Sequence, residues 1–240
     1  MRFEHLFKKD LEILEKNLIN KKHFSFAKFA DGEFFILQNQ LIRNIDNWLY
    51  NPSTDKHFSD LLMESLKYRE KDYYIGISCP CCGREIHKWY MENNGSDYDN
   101  TTFANIFVNS NYPYYVDNII PLYNSFKKIV LIANKESNLK KVKTVLNYTD
   151  FFGIGPEAFK TDLHLIDELK TYIDDNNIRD ALFLFCSGPL GNILSYKLWE
   201  HNKNNTYLDI GSTLNPWTDI NIREYQRNTP FSVKTCTFDL

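Results

Sequence analysis

The sequence predicts an α/β protein built on a mainly parallel sheet, and three observations carry that prediction. Short, almost wholly apolar runs, such as Ile129 to Ala133 and Ala181 to Cys186, match strands buried on both faces. Other stretches carry apolar residues at helical spacing, among them 162–176, where Leu163, Ile166, Leu169 and Ile173 share one face. The apolar runs end in glycine, asparagine, serine or proline, residues that turn a strand into the next element. Strands alternating with helices give a Rossmann-like arrangement, a mainly parallel sheet flanked by helices.

Taken in order, residues 1–22 form an amphipathic packing helix, with Phe3, Leu6, Phe7, Leu11, Leu14 and Leu18 on its apolar face. A strand over Phe24 to Phe29 runs into Ala30-Asp31-Gly32-Glu33, and the apolar run from Phe34 opens a helix reaching about Leu41. Residues 42–58 read as irregular, with a turn at Asn51 to Thr54, and a helix follows over 55–70. Tyr73 to Cys79 is a second strand, closed by Pro80-Cys81-Cys82-Gly83, with a helix over 84–93. Phe103 to Val108 reads as a strand ending in Asn109 to Asn111, and 112–126 as mixed, helical in its second part.

Lys128 to Ala133 is the clearest strand, leading through Asn134-Lys135 to a helix over 138–147. Strands over 151–154, 181–186 and 206–210 alternate with helices over 162–176 and 190–202. Residues 213–240 read as an irregular segment with one short helix. With no internal repeat or linker, residues 1–240 are expected to be one domain.

Composition limits the function classes. Apolar residues are 43% and charged residues 25%, with a formal net charge of −3, so no basic excess points to nucleic acid. No apolar run approaches the ~20 residues of a membrane span, and Met1 to His5 lacks the layout of a secretion signal. A cytoplasmic protein is the expectation. Five cysteines, three of them at 79, 81 and 82, form no disulfide framework and are expected to be reduced.

Candidate chemistry collects at strand ends, where parallel sheets bind ligands. Asp31 and Glu33 set two carboxylates beside a turn glycine, a pair that either holds a divalent cation with a phosphate or merely caps the helix. Ser187-Gly188-Pro189-Leu190-Gly191 opens a helix after a buried strand. It suits an anion at the helix start, or serves as an ordinary turn with Pro189 in its favoured first position. Asp209, before Ile210-Gly211, can accept a sugar hydroxyl, act as a base, or bond turn amides. Asn109 and Lys135 close two further strands and are candidates for substrate contact. Cys79, Cys81 and Cys82, with His87 nearby, lack the second ligand pair of a structural zinc site unless His87 or Cys186 joins them. Trp217, after Asn215-Pro216, is available for stacking on a ring, although core packing is the stronger reading.

Taken together the motifs resemble the GT-D-type glycosyltransferases. Lys28-Phe29-Ala30-Asp31-Gly32-Glu33 is similar to that family's arginine, aromatic, Gly-Asp-Gly-Glu block. The stretch from Ser187 through Gly191 to Leu198 is similar to its Gly-Pro strand-to-helix turn. Asp209-Ile210-Gly211 matches its Asp-Ile-Gly-His, except that Ser212 stands where the histidine is usual. Lys28 replaces arginine and lacks its bidentate fork.

The resemblance implies transfer of a sugar from a nucleoside diphosphate sugar to an acceptor hydroxyl on a glycan or glycoprotein. It implies Mn²⁺ or Mg²⁺ on Asp31 and Glu33, and donor contacts from Lys28, Ser187, Gly188, Pro189, Asp209 and Gly211; Asn109 and Lys135 join the substrate-binding candidates from their places at strand ends. Asp209 is then the catalytic candidate, and a homodimer is allowed. Two other classes use the same features, a nucleotide phosphohydrolase and a non-catalytic module built on the cysteines.

Overall fold

The computed structural model describes residues 6–95 and 100–227. Seven parallel strands form one sheet: β1 (Ser25–Phe29), β4 (Tyr73–Ile77), β5 (Thr101–Phe103), β6 (Ile129–Asn134), β7 (Asp150–Ile154), β8 (Leu182–Phe185) and β9 (Thr206–Asp209). The order across the sheet is β5-β4-β1-β9-β8-β6-β7. The first three strands therefore build outward from β1, and the rest build out on its other side. That makes the β1/β9 boundary the switch point, where the carboxyl ends of open α/β sheets leave a ligand crevice. A small antiparallel ribbon, β2 (Ile42–Arg43) with β3 (Leu49–Tyr50), is inserted after the helix Asp31–Leu37 that follows β1.

Alternation along each strand divides the core into two layers. Ala27, Phe29, Ile132, Phe183, Phe185 and Tyr207 face one side, packing against the helices Lys56–Lys67, Leu165–Asp175 and Pro189–His201. Phe24, Phe26, Leu131, Leu184 and Leu208 face the other, against Leu6–Ile19 and the helical segment from Tyr112 to Tyr123. Close packing shows at Gly76, where a Cβ would lie 2.7 Å from the Phe26 ring.

The expected fold class holds, and four elements differ from expectation. The helix after β1 begins at Asp31 rather than Phe34, covering Asp31–Leu37. Residues 42–58 contain the ribbon, whose strands are too short to show a period. The strand expected over 103–108 stops at Phe103, and the chain turns there with Ile106 N–H donating to the Phe103 carbonyl. Only Leu139–Val142 of the helix expected over 138–147 is α-helical. The irregular segment after 213 contains the short helix Asn215–Thr218 and a single turn at Glu224–Gln226; residues 228–240 lie outside the described chain. Trp217 packs against the core.

Candidate active site at the sheet switch point

The site is built on a break between two strands. β1 and β9 pair only at Ser25/Tyr207 and Phe26/Leu208. Beyond that point side chains take over the backbone's hydrogen bonds. The Lys28 carbonyl accepts from Asn192 Nδ2 at 2.7 Å, and the Asp209 carboxylate accepts from the Lys28 and Gly211 amides, the latter at 3.0 Å. The helix Pro189–His201 clamps the rest of β1: Ser195 Oγ donates to the Phe26 carbonyl and Ser25 Oγ to the Ser195 carbonyl. A helix this close to the sheet needs a small residue over the strand end. A Cβ on Gly191 would meet the Asp209 carboxylate carbon at 3.0 Å. The polar Asn192 and Ser195 are thus buried because they hold β1, which explains why this helix lacks an amphipathic stripe.

Above the break lies a cleft of about 490 Å³. Lys28, Asp31, Gly32, Glu33, Ser187, Gly188, Pro189 and Gly211 all line it, so residues up to 183 positions apart meet in one site. Asp31 is exposed at the helix start, its Oδ1 accepting from the Gly32 amide at 3.0 Å. Glu33 turns back and accepts the Ala30 amide at 2.9 Å, half of a capping box. Burial pushes its carboxyl pKa up, against the Lys28 ammonium and the Ala30 amide. Glu33 therefore makes the capping bond of the helix start, and Asp31 is exposed and lines the cleft.

Gly188 has φ +55° and ψ −143°, a conformation open in practice to glycine alone, and it delivers the chain to Pro189 at the first helical position. Ser187 is 5% exposed, and its hydroxyl has no hydrogen-bond partner among the described residues. Ser137, another cleft residue, is in the same condition. Buried polar groups left unpaired cost about 1–3 kcal/mol, so two such hydroxyls facing one cleft mark a place for a polar ligand.

Other expectations fall elsewhere. Asp209 is 2% exposed and lies beneath the cleft floor; burial, opposed by Lys28 and reinforced by Glu33, raises its pKa to about 7. Asn109 lines a second cavity of about 330 Å³, which shares Lys28, Ala30 and Asp31 with the main cleft. Lys135 is exposed and lies outside the lining of both cavities, packed beside Gly153 at the β6/β7 side. Ser212 lines the cleft, its hydroxyl 2.9 Å from the Tyr225 hydroxyl. Cys186 also lines it, but burial and the neighbouring Asp209 hold its thiol far above the usual range, which removes it as a thiolate nucleophile.

Several cleft residues were not singled out from the sequence. Trp48, from the ribbon, is 4% exposed and packs over Gly32 and toward Gly188. Arg223 makes a two-point ion pair with Asp46, at 2.7 and 2.5 Å, tying the C-terminal segment to the ribbon across the cleft. An isolated tryptophan between turn residues was the available signal for the first; Arg223 had none.

The α/β sheet has the same fold as three solved structures, one of them described as having a distinct glycosyltransferase fold. Three solved structures are similar over most of their length, each a form of the domain of unknown function 1792. One, described as having a distinct glycosyltransferase fold, is 15% identical with TM-score 0.57, over 87% of this chain and 82% of its own. Another, described as a new glycosyltransferase from Streptococcus sanguinis, is 14% identical with TM-score 0.59, over 85% and 80%. A selenomethionine form is 15% identical with TM-score 0.56, over 86% and 81%. No protein-family model matches the chain, and no curated protein does. No helix among the described residues is long and apolar enough to cross a membrane.

Proposed function

We propose that this protein is a glycosyltransferase that moves a sugar from a nucleoside diphosphate sugar to an acceptor hydroxyl on a glycan or glycoprotein. The observation that carries the reading is the meeting, in one switch-point cleft, of Asp31 and Glu33, the Ser187-Gly188-Pro189 helix start and Gly211. The glycosyltransferase fold of the similar structures supports the same class.

The donor set fits Mn²⁺ or Mg²⁺. Asp31, Glu33, Asp46, Glu136 and Asp219 line the cleft against two cations, Lys28 and Arg223. Asp46 is taken by Arg223, and Asp219 by Lys141; of the three that remain, Glu136 follows β6, and Asp31 and Glu33 stand together at the β1 turn. An anionic diphosphate entering so acidic a cleft requires a compensating hard cation, and carboxylate oxygens are its preferred ligands. Such an ion, when bound, supplies charge neutralisation for the departing diphosphate.

The chain's own residues do the rest. The Ser187 hydroxyl and the positive end of the helix Pro189–His201 receive phosphate oxygens; Pro189 itself has no N–H, and the Gly191 amide is taken by the Gly188 carbonyl. Lys28, folded across Gly211 so that a Cβ there would meet its Nζ at 3.0 Å, adds a fixed positive charge. Asp209 acts as a positioning residue, holding the Lys28 and Gly211 backbones. Trp48 closes the apolar wall over Gly32.

The test is donor binding and turnover with purified protein. A nucleoside diphosphate sugar should bind with Mn²⁺, and Asp31→Asn should remove the metal-dependent part. Release of inorganic phosphate from a nucleotide, with no sugar transferred or hydrolysed, would make the protein a phosphohydrolase instead.

A further inference from the structure

The cysteine cluster is left unused by this reading, and it sits where β4 ends. We propose that Cys79, Cys81 and Cys82 hold one soft metal ion, Zn²⁺ in the first instance, through three thiolates. The turn that gathers them is tight: the Cys79 carbonyl accepts from the amides of both Cys82 and Gly83, each at 3.2 Å. One ligand atom from each residue lies within 4.8 Å of the others, and among the described residues this is the grouping of three or more His, Cys, Asp and Glu side chains close enough to share a metal ion. Thiolates about 2.3 Å from a common ion stand roughly 3.8–4.0 Å apart. Cys79 and Cys81, at 2.7 Å, open by about 1 Å to meet that spacing, which two side-chain rotations on one turn can supply.

The surroundings favour sulfur ligation. Asn105 Nδ2 donates to Cys79 Sγ at 3.3 Å and to Cys82 Sγ at 3.7 Å, the kind of outer contact that orients a ligand and supports its negative charge. Cys79 is buried, whereas Cys81 and Cys82 are exposed, so an ion can enter from solvent. His87 is held by its Nδ1 on the Ser78 carbonyl at 2.8 Å and stands outside the three-sulfur group, as does Cys186 across the sheet. Among the described residues these three sulfurs are the ligands that fall together, and a zinc held by three protein ligands takes solvent or a substrate group in its fourth position. The site borders the second cavity, which Cys79, Cys82 and Asp31 line together. Its chemistry is nonetheless separate from that of Asp31 and Glu33, because thiolates select soft ions and carboxylates hard ones. It stands whether or not the transferase reading does.

The test uses full-length protein, reduced and stripped with a chelator under anaerobic conditions. Added Co²⁺ should produce a thiolate-to-cobalt charge-transfer band, and Zn²⁺ should abolish it at about one ion per chain; millimolar Mn²⁺ should not. Cys81→Ser and Cys82→Ser, both at exposed positions, should each weaken the band and lower zinc affinity by at least about tenfold, since outer-shell changes alone reach that size. Absence of both the band and retained zinc in the wild-type chain would overturn the proposal. Equal zinc affinity in the wild type and both serine variants would do the same.

Discussion

Replacing Asp209 with asparagine probes the electrostatics beneath the cleft, and the effect is large enough to measure. Burial lifts this carboxyl from the ordinary 3.8 to about 7. Between those values the native state holds a proton that the unfolded chain has released. The native state therefore binds more protons there, and the stability linked to this group is fully present below about pH 4 and is lost as pH rises through 7. At 1.36 kcal/mol per pH unit the loss is about 4 kcal/mol. For a chain of this size that is about 8–16 °C in Tm. Asparagine keeps an acceptor for the Gly211 amide and has no proton to lose.

Any constant cost of Asp209→Asn shifts its whole curve, so the slope is the informative quantity. Thermal unfolding of wild type and variant from pH 4 to 8, without ligand, should show the difference moving in the variant's favour as pH rises. Opposing groups such as Asp55 and Asp150, whose carboxyls are held low by hydrogen bonds from the Asn51 amide and the Thr149 hydroxyl and then by Lys160 and Lys128, contribute equally to both curves and cancel. Two parallel curves would refute the reasoning, because they would mean that native Asp209 ionises like an exposed carboxylate.

Three further outcomes follow from the same geometry. Gly188→Ala forces a side chain into a positive-φ conformation and should cost about 1–3 kcal/mol in denaturant unfolding. Glu33→Gln can keep the bond to the Ala30 amide, as the capping box tolerates either residue. It should therefore remain folded while losing Mn²⁺-dependent donor turnover; unchanged turnover would remove Glu33 from the metal set. Trp48→Ala empties a buried aromatic position and should cost about 3–5 kcal/mol, while the milder Trp48→Phe should abolish any change in tryptophan fluorescence on donor addition; persistence of that change would place the donor away from Gly32.

Much of the fold was legible because its strands are buried on both faces. β6 and β8 read as unbroken apolar runs, and the residues after them had to turn. The ribbon was not legible, since two-residue strands show no period, and Trp48 went with it. β5 ends early for a reason invisible in its apolar run: the Phe103 carbonyl accepts from the Ile106 amide, so the chain is already turning.

Within the site, sequence reasoning named residues at the correct end of the sheet but could not settle which side each faces. That depends on register and on the switch point, where one position moves a side chain from one surface to another. Hence Lys28, Ser187 and Gly211 meet in the cleft, Asp209 sits below it, Asn109 borders the neighbouring cavity and Lys135 leaves the site. Arg223 arrives from a segment with no periodic pattern, and only the fold brings it to Asp46.

The central claim is that the β1/β9 cleft takes a nucleoside diphosphate sugar together with a hard divalent cation. It is tested most directly by thermal unfolding against a panel of nucleoside diphosphates and their sugars, with and without Mn²⁺, in wild-type and Asp31→Asn protein. At 100 times its Kd a donor stabilises by about 2.7 kcal/mol, a shift of several degrees. The account predicts such a shift for at least one donor with Mn²⁺, reduced when either the ion or the Asp31 carboxylate is removed. A panel without any shift, or a shift indifferent to both, would contradict it.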